Sequence, residues 1–365
     1  MAFTSVKTTA FRNLADDKVP VYGKDIFLIG NNGQGKTNFL EAIYFCSYAS
    51  SFRGERDIAL ARNGEKDFSV NVSVDDSIYN VLSVVFEEGK KSIYLDGKKI
   101  NDRKELLELV PSIVFCHEDM DFVIGPPERR RWFFDQTRSL WDPIYLEDLR
   151  NYRKVLKNRN AVLKNGSGAG SSALLDALDP QLVSYGASLM EKRRSMAEDF
   201  SGVFQPLYGE ISGIDGVAIK YAPSWKSINV EEEAASLAQN REKDFSCGVS
   251  LSGPHRDRYI FIRKGREFSG NASTGQRRLL ALLLRVAQTI VFSRRSGKKP
   301  VLLFDDVLLE LDGEKRRKFL SLMPDYSQAF YTFLPEEPYL SYRKDDTIIY
   351  YMNEGRLAVG NEKSG

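Results

Sequence analysis

One segment near the start of the chain combines glycines with a lysine and a hydroxyl residue in a pattern that can hold phosphate. Residues 30–37 read Gly-Asn-Asn-Gly-Gln-Gly-Lys-Thr and fit the G-x-x-x-x-G-K-[ST] phosphate loop. Glycines let such a loop curl until its N–H groups point at phosphate oxygens. Lys36 is expected to contact the β- and γ-phosphates, and the Thr37 hydroxyl is expected to ligate Mg²⁺. The residues predicted to bind the nucleotide here are Gly30, Asn31, Asn32, Gly33, Gln34, Gly35, Lys36, Thr37 and Asn38.

A second chemical element lies far along the chain, where the apolar run 301–304 ends in Asp305 and Asp306. Asp305 is predicted to hold Mg²⁺ through water. Asp306 is predicted to polarise the attacking water, because its carboxylate can point at the γ-phosphate. The alternative is an ordinary strand end with acidic residues facing solvent. The phosphate loop in the same chain favours the catalytic interpretation.

The surrounding pattern predicts the elements that position these residues. Residues 21–29 are predicted to form a strand that leads into the loop, and helical spacing of apolar residues begins at Lys36. Residues 68–100 are rich in Val, Ile, Tyr and Phe and indicate an antiparallel β-layer, with an Asp-Gly hairpin at 95–98. These elements predict an α/β fold.

The middle of the chain is predicted to be helical. A helix is expected over 145–164, followed by a flexible Gly/Ser connector at 166–172. A second helix is predicted to begin at Asp179–Pro180, with Asp as N-cap and Pro at the first helical position. It would run to about Phe200 and form a hairpin about 30 Å long.

Strand and helix patterns resume after this segment. Strands are expected near Val249, at 259–263 and at 301–304, and a long apolar helix over 276–292. The α/β pattern is thus interrupted by a helical insertion.

Composition restricts the class of protein. The chain has 365 residues, a net charge of +2, two histidines and three widely spaced cysteines. An odd number of cysteines argues against a disulfide framework and fits a reducing cytoplasm. The N-terminal residues lack the apolar block of an export signal, and the apolar stretch 279–292 is too short for a membrane span. We therefore expect a cytoplasmic protein without a membrane partner.

The phosphate loop and the acidic pair are separated by most of the chain. A nucleotide kinase or a small GTPase brings them closer, whereas one site built from both ends of the chain, with helices between, is typical of ABC-type heads. Several further motifs occur in order along the chain. They are Phe11-Arg12-Asn13, Phe115-x-x-Glu118-Asp119, Gly125-x-Pro127-x-Arg129-Arg130-Arg131, Asp135, Gly253-Pro254-His255-Arg256-Asp257, Ser273-Thr274-Gly275-Gln276 and Glu310-Leu311-Asp312. With these motifs the chain resembles the RecF family, relatives of the SMC and Rad50 heads.

The resemblance implies an ABC-type P-loop ATPase head made of residues 1–117 and 250–365, with a helical insertion over 118–249 that contains a short helical hairpin. It implies ATP and Mg²⁺ as cofactors. Ser273, Gly275 and Gln276 resemble the signature element that faces the γ-phosphate of a second protomer, and Asp312 resembles the D-loop. The alternative for Ser273 is an ordinary helix cap. Glu118 and Asp119 are expected to sense Mg²⁺ or water, or else to form surface ion pairs.

The sequence departs from the family pattern at four places. His117 stands where proline is usual, Leu309 where a small serine is common, and Arg258 where an acid is expected. Residues 331–334 contain no histidine of the switch type. These departures affect the hydrolysis apparatus and leave nucleotide binding intact.

The resemblance also implies duplex and gapped DNA as ligands. The partners that it implies are RecR, sometimes together with RecO, and indirectly RecA. Basic clusters could contact phosphates without reading bases, although a solvated helical face is the alternative for each of them. The candidate DNA-binding residues are Arg129, Arg130, Arg150, Arg153, Lys154 and Lys157, with Arg131 and Arg159 in the same clusters.

The resemblance implies slow ATP hydrolysis in an ATP-dependent homodimer that holds DNA. Three other classes fit the sequence less well. An SMC/Rad50-like architectural protein needs a much longer coiled coil. A transporter-type ABC subunit couples to a membrane partner, and Phe11-Arg12-Asn13, the segment 253–257 and the β-layer favour the RecF family over it. A metabolic kinase has a less widely split site.

Overall fold

The structure is a computed structural model that describes residues 2–75, 78, 80–102, 104–166 and 168–360. The chain divides into two compact units. One comprises Met1–Glu118 together with Gly297–Gly365, and the other comprises Asp119–Ser296. We call them the sheet unit and the helical unit.

The sheet unit contains a six-stranded sheet made from both ends of the chain. Its strands are β3 (Asp25–Ile29), β8 (Ser112–Phe115), β12 (Val301–Phe304), β13 (Gln328–Phe333), β14 (Thr347–Asn353) and β15 (Arg356–Val359). Their order is β15-β14-β3-β13-β12-β8, and all pairs except β14–β15 are parallel. β3, β12 and β13 are buried at every position. The apolar runs 26–29 and 301–304 predict this for β3 and β12, whereas β13 also buries the polar residues Gln328 and Thr332. Since parallel strands end at one edge, the residues that follow β3, β12 and β13 lie together.

An antiparallel layer completes the sheet unit. Its strands are β1 (Phe3–Thr9), β2 (Lys18–Pro20), β4 (Phe68–Val74), β5 (Val81–Glu87), β6 (Lys90–Leu95) and β7 (Lys98–Ile100). The expected hairpin is confirmed, because Asp96 and Gly97 both have positive φ in the turn between β6 and β7. Helix α1 (Lys36–Tyr48) contacts strands of this layer and of the parallel sheet. It is therefore buried on nearly all sides. The unit's other helices are α2 (Lys104–Leu109) and α9 (Gly313–Ser321).

The helical unit packs long helices beside a small sheet. Its helices are α3 (Pro127–Ser139), α4 (Pro143–Lys164), α5 (Ala169–Ser212), α6 (Val230–Gln239), α7 (Arg241–Cys247) and α8 (Thr274–Ser296). Its strands are β9 (Val217–Ala222), β10 (Arg258–Arg263) and β11 (Arg266–Glu267), in the order β11-β10-β9. Tyr145 and Tyr152 of α4 pack with Leu182 and Met190 of α5 around Trp225. In the part of the chain that the structure describes, no helix is long and apolar enough to cross a bilayer.

The predicted start of the second helix at Asp179–Pro180 is wrong. α5 is 44 residues long and has Pro180 inside it, so at 1.5 Å per residue it extends about 66 Å, not about 30 Å. Asp179 is 2 % exposed and accepts a hydrogen bond from Arg159 on α4 instead of capping its own helix. The helix already includes 169–172 of the predicted connector, of which Ser167 lies outside the described residues.

Two further expectations differ from the structure. Val249 lies in a bend after α7, not in a strand, because its N–H bonds to the carbonyl of Asp244 in the turn that ends that helix. Residues 250–296, which the sequence assigned to the ATPase head, belong by their contacts to the helical unit. The expectation that these residues function with the ATPase head stays a prediction.

Candidate nucleotide-binding site

The phosphate-loop segment forms a tight turn between β3 and α1. Gly33 and Gly35 have φ angles of +79° and +115°, which glycine adopts without steric cost. A Cβ on Gly30 would lie 2.6 Å from the carbonyl oxygen of Met352, so space also requires glycine there. The turn ends at the N-terminus of α1, where unpaired N–H groups and the helix dipole favour an anion. A cleft of about 260 Å³ opens beside it.

Lys36 lies inside this loop. The residue is 4 % exposed, and its Nζ donates hydrogen bonds to the carbonyl oxygens of Gly30 at 2.6 Å and Asn31 at 3.2 Å. An ammonium group carries three donors, so one more is left for a phosphate oxygen. The loop thus holds a nearly buried positive charge at the wall of the cleft.

Thr37 and Asp305 meet although 268 positions separate them in the sequence. The Thr37 hydroxyl donates a hydrogen bond of 2.7 Å to Oδ1 of Asp305. Burial raises the pKa of Asp305 to about 6, and repulsion from Asp306 and Glu118 adds to this, while Thr37 and Arg53 oppose it. A cation beside Asp305 would stabilise its ionised form.

These oxygen donors fit Mg²⁺. No cluster of three or more His, Cys, Asp or Glu side chains able to hold a metal occurs within the described residues. Mg²⁺ commonly uses only one or two protein ligands together with phosphate oxygens and water. A hydroxyl and one carboxylate beside a phosphate loop match that habit.

Asp306 lines the same cleft and is held by β13. Its backbone has a φ angle of +55°, and its carboxylate Oδ1 accepts a hydrogen bond of 2.7 Å from the Thr332 hydroxyl. The structure therefore places Asp306 with Lys36 and Thr37 at one edge of the parallel sheet, where β3 and β12 end on either side of β13.

Glu118 and Asp119 differ in environment. Glu118 is exposed and close enough to Asp305 to raise the pKa of that carboxyl. Asp119 is 1 % exposed, and its Oδ1 accepts two hydrogen bonds, of 2.6 and 3.0 Å, from Arg285 of α8. The expectation that Asp119 senses the metal is therefore wrong, because its charge is neutralised within the helical unit.

Two residues that support the loop have weak sequence signals. Nδ2 of Asn13 donates to the carbonyl of Gly33 at 3.2 Å, and its Oδ1 accepts from Nδ2 of Asn38 at 2.7 Å. Arg53 donates to Oδ1 of Asn38 at 3.1 Å and lines the cleft. Sequence analysis missed Arg53, because a single arginine after a helix belongs to no motif that predicts phosphate contact.

The hairpin between β14 and β15 also contacts the loop, which the sequence did not predict. Oε1 of Gln34 accepts a hydrogen bond of 2.6 Å from the N–H of Glu354, and the carbonyl of Gln34 accepts from the N–H of Gly355. Gln34 is thus fixed through both its side chain and its backbone.

The signature-like element forms the exposed N-terminus of α8 in the helical unit. The N–H of Ser273 donates to Oε1 of Gln276 at 2.8 Å, and the N–H of Gln276 donates to the Ser273 hydroxyl at 3.3 Å. This reciprocal pair is a capping box. Ser273, Thr274 and Gly275 are exposed, so the helix end is accessible to a second molecule.

Asp312 caps α9 in the sheet unit. Its Oδ1 accepts from the backbone N–H of Lys315 at 2.9 Å, and its Oδ2 from Nζ of the same lysine at 2.6 Å. These bonds lower the pKa of Asp312, so it is a charged, exposed group. The side chains of its neighbours Leu309 and Glu310 lie outside the described residues.

The arginine triplet is packed within the helical unit. Arg129 pairs with Asp121 at 3.3 Å and lies over the rings of Phe122 and Trp132. Arg130 donates to the carbonyl of Val123 at 2.7 Å. Both side chains are half-buried. Through these contacts each has a structural partner in addition to any phosphate that it contacts.

The basic residues of α4 separate into an exposed face and one buried side chain. We call the exposed set Arg150, Arg153, Lys154 and Lys157 the basic face. Arg159 is fully buried and pairs with Asp179 and Asp244, each at 2.7 Å. The inclusion of Arg159 in this surface cluster was wrong, because its charge is already neutralised.

Asp135 and the segment 253–257, which belong to the family motifs, take part in buried contacts of the helical unit. Arg193 of α5 donates to Oδ2 of Asp135 at 2.9 Å and to Oδ2 of Asp257 at 2.8 Å. His255 contacts Tyr152 and the carbonyl of Ser250. These motifs therefore hold the helical unit together.

Comparison with known proteins identifies the family. A family model described as the RecF/RecN/SMC N terminal domain matches residues 2–339. The DNA replication and repair protein RecF of Treponema pallidum is 42% identical over 94% of this chain and 97% of its own length. The chain belongs to the RecF family. The RecF protein of Lachnospira eligens is 31% identical over 99% of this chain and 100% of its own.

Solved structures agree with this assignment. The recombination mediator protein RecF with ATP, of the RecFOR pathway, is 28% identical, with a TM-score of 0.88 over 98% of this chain and 97% of that chain. An SMC head bound to the C-terminal winged helix domain of ScpA, 16% identical with a TM-score of 0.57, shares the fold alone. The expected family and fold are confirmed: an ABC-type ATPase head assembled from both ends of the chain, with an antiparallel layer and a helical insertion.

Proposed function

We propose that this chain binds ATP with Mg²⁺, dimerises on ATP, holds duplex or gapped DNA, and releases it after slow hydrolysis. The observation that carries the proposal is the 2.7 Å contact between Thr37 and Asp305. It brings a phosphate loop from one end of the chain and a carboxylate from the other to one cleft. The RecF protein solved with ATP supports the choice of nucleotide.

Each residue of the cleft has a distinct task in this proposal. Lys36 and the N–H groups of 30–38 bind the β- and γ-phosphates. Thr37 and, through water, Asp305 hold Mg²⁺, which neutralises charge on the phosphate oxygens. Asp306 orients a water whose oxygen attacks the γ-phosphorus; the bond to the ADP oxygen breaks, and the proton of the water passes to the carboxylate. Glu118, exposed beside Asp305, orders water near the metal.

ATP acts between two protomers. Ser273, Gly275 and Gln276 present the N-terminus of α8, an anion site by its dipole, to the γ-phosphate bound by the other protomer. Asp312 lies at the same interface. Hydrolysis removes the shared γ-phosphate, and therefore limits how long the dimer and its DNA persist.

The basic face of α4, with Arg129 and Arg130, contacts DNA phosphates without reading sequence. Its exposure and the absence of acidic partners for Lys154 and Lys157 among the described ion pairs support this. From the family we infer RecR as partner, sometimes with RecO, in the cytoplasm. The outcome is loading of RecA at gaps in recombinational repair, with induction of the SOS response.

Analytical ultracentrifugation tests the proposal. Wild type, Lys36→Met and Ser273→Arg are sedimented with ATP, with and without a gapped duplex. We expect wild type to dimerise and to retain DNA, Lys36→Met to lose ATP and both properties, and Ser273→Arg to bind ATP as a monomer. Wild type that stays monomeric with ATP and retains no DNA contradicts the proposal.

A further inference from the structure

Thr332 occupies a distinctive place in the parallel sheet. β13 lies between β3, which leads into the phosphate loop, and β12, which leads into the acidic pair. Tyr331 pairs with Phe304, the last residue of β12, and Thr332 pairs with Leu28 of β3. Thr332 of β13 therefore lies one position past the last residue of β12 in the register of the sheet. This is the edge of the sheet where the nucleotide cleft opens.

The Thr332 hydroxyl and Asp306 form a closed pair of hydrogen bonds. The backbone N–H of Asp306 donates to Oγ1 of Thr332 at 2.8 Å, and Oγ1 donates to the carboxylate Oδ1 of Asp306 at 2.7 Å. The carbonyl of Phe304 lies 3.3 Å from the same hydroxyl. A hydroxyl has one hydrogen, and the shorter, charge-assisted bond to the carboxylate is the stronger one.

This pair fixes an unusual backbone. Asp306 has a φ of +55° and a ψ of +8°, a left-handed conformation that residues with a Cβ rarely adopt. One bond holds its peptide N–H and the other holds its side chain, so a single buried hydroxyl determines both. Thr332 is 3 % exposed, so water does not compete for it.

We propose that Thr332 is a positioning residue for hydrolysis, whose hydroxyl holds the Asp306 carboxylate toward the cleft with its second oxygen directed to the attacking water. The proposal rests on the function of Asp306 proposed above. Among the described residues, Thr332 is the hydrogen-bond partner of this carboxylate. The segment 331–334, where β13 ends, has no histidine. The neutral hydroxyl of Thr332 orients the Asp306 carboxylate there.

Substitutions of Thr332 separate positioning from structure. Thr332→Val keeps the shape and removes the hydroxyl, and Thr332→Ser keeps the hydroxyl. We expect Thr332→Val to lower the single-turnover rate of ATP hydrolysis at least about tenfold, because general-base assistance contributes about 10²–10⁴-fold and depends on geometry. The dissociation constant for ATP should change less than about twofold, and Thr332→Ser should hydrolyse within about threefold of wild type.

A double-mutant cycle with Asp306→Asn gives the decisive measurement. If Thr332 acts through Asp306, adding Thr332→Val to Asp306→Asn slows hydrolysis no further. Should Thr332→Val fail to fold, Thr332→Ala takes its place in the cycle. An Asp306→Asn protein that hydrolyses ATP normally overturns the proposed role of Asp306. A slow Asp306→Asn protein combined with a normal Thr332→Val protein, or fully additive effects, overturns the role of Thr332 alone.

Discussion

The backbone N–H of Gly355 donates a hydrogen bond of 2.9 Å to the carbonyl oxygen of Gln34, which ties the β14–β15 hairpin to the phosphate loop. The same hairpin turn contacts the segment that precedes β2, because the carbonyl of Gly355 accepts from the N–H of Ala15 at 2.9 Å. The hairpin that supports the phosphate loop is therefore itself held by a bond from Ala15.

Gly355→Ala should weaken ATP binding at least about tenfold. Gly355 has a φ of +77°, and a Cβ there would lie 1.9 Å from the carbonyl oxygen of Asn13. The turn must therefore shift, which disturbs its hydrogen bonds to Gln34. Calorimetric titration with ATP measures the loss. Gly89→Ala is the matched control, since Glu88 and Gly89 form a similar turn with a φ of +72° at the glycine and nothing within 4 Å of its Cβ. Equal ATP affinity in the two variants would contradict this role of the hairpin.

Arg159→Met should destabilise the protein by about 3–5 kcal/mol, because it leaves the buried Asp244 without its ionic partner and removes one of the two arginines that pair with Asp179. The side chain is fully buried, and it also donates to the Ser250 hydroxyl at 2.8 Å. Urea unfolding measures the effect. Lys157→Met, on the exposed side of the same helix, should leave stability within about 0.5 kcal/mol of wild type. A similar stability for both variants would show that the ionic cluster is dispensable.

Lowering the pH should decrease the free energy of unfolding, because His255 is buried in its neutral form. Burial lowers the pKa of this imidazole to about 4, and repulsion from Arg256, Arg131 and Arg159 contributes. In the unfolded chain the pKa is about 6.5, so the unfolded state binds the proton first. The stability from neutral His255 is complete above about pH 6.5 and is lost progressively as the pH falls toward 4.

The measurement compares the free energy of unfolding at pH 7.5 and 4.5. In His255→Gln the decrease should be about 2–3 kcal/mol smaller than in wild type. His117→Gln removes an exposed histidine and should follow wild type. An unchanged pH dependence in His255→Gln would exclude His255 as the titrating group.

Charge reversal on the basic face should weaken DNA binding. Lys154→Glu with Lys157→Glu is expected to lower duplex affinity in the presence of ATP at least about tenfold and to make it less sensitive to salt, because fewer counterions are released. Fluorescence anisotropy at several salt concentrations measures both. Lys98→Glu with Lys99→Glu makes the same charge change on exposed lysines of β7 and should bind nearly as wild type. Equal losses in the two pairs would mean that net charge, not this surface, determines binding.

The sequence predicted those parts of the fold that rest on local pattern. β3 and β12 are continuous apolar runs, and the helix after the phosphate loop begins at Lys36 as expected. The proximity of Thr37 and Asp305 followed from the strand-end position of both motifs. Each of these features follows from a motif or an apolar pattern that can be recognised within one short segment of the sequence.

What the sequence did not reveal depends on distant partners. Pro180 does not end α5, and Asp179 pairs with Arg159 on another helix. The support of Gln34 by Glu354, 320 positions away, and the bond from Thr332 to Asp306 have no local signature. Such contacts appear only when the strand order is known.

The hydrogen bond between Gln34 and Glu354 can form only late in the synthesis of the chain. A ribosome must add 320 residues after Gln34 before this contact can form, which takes on the order of 15–60 s at bacterial elongation rates. Throughout that time the nascent polypeptide contains the phosphate-loop sequence without the hydrogen bond from Glu354 that supports it. Translation that stops before residue 354 would therefore yield fragments that lack this support of the phosphate loop.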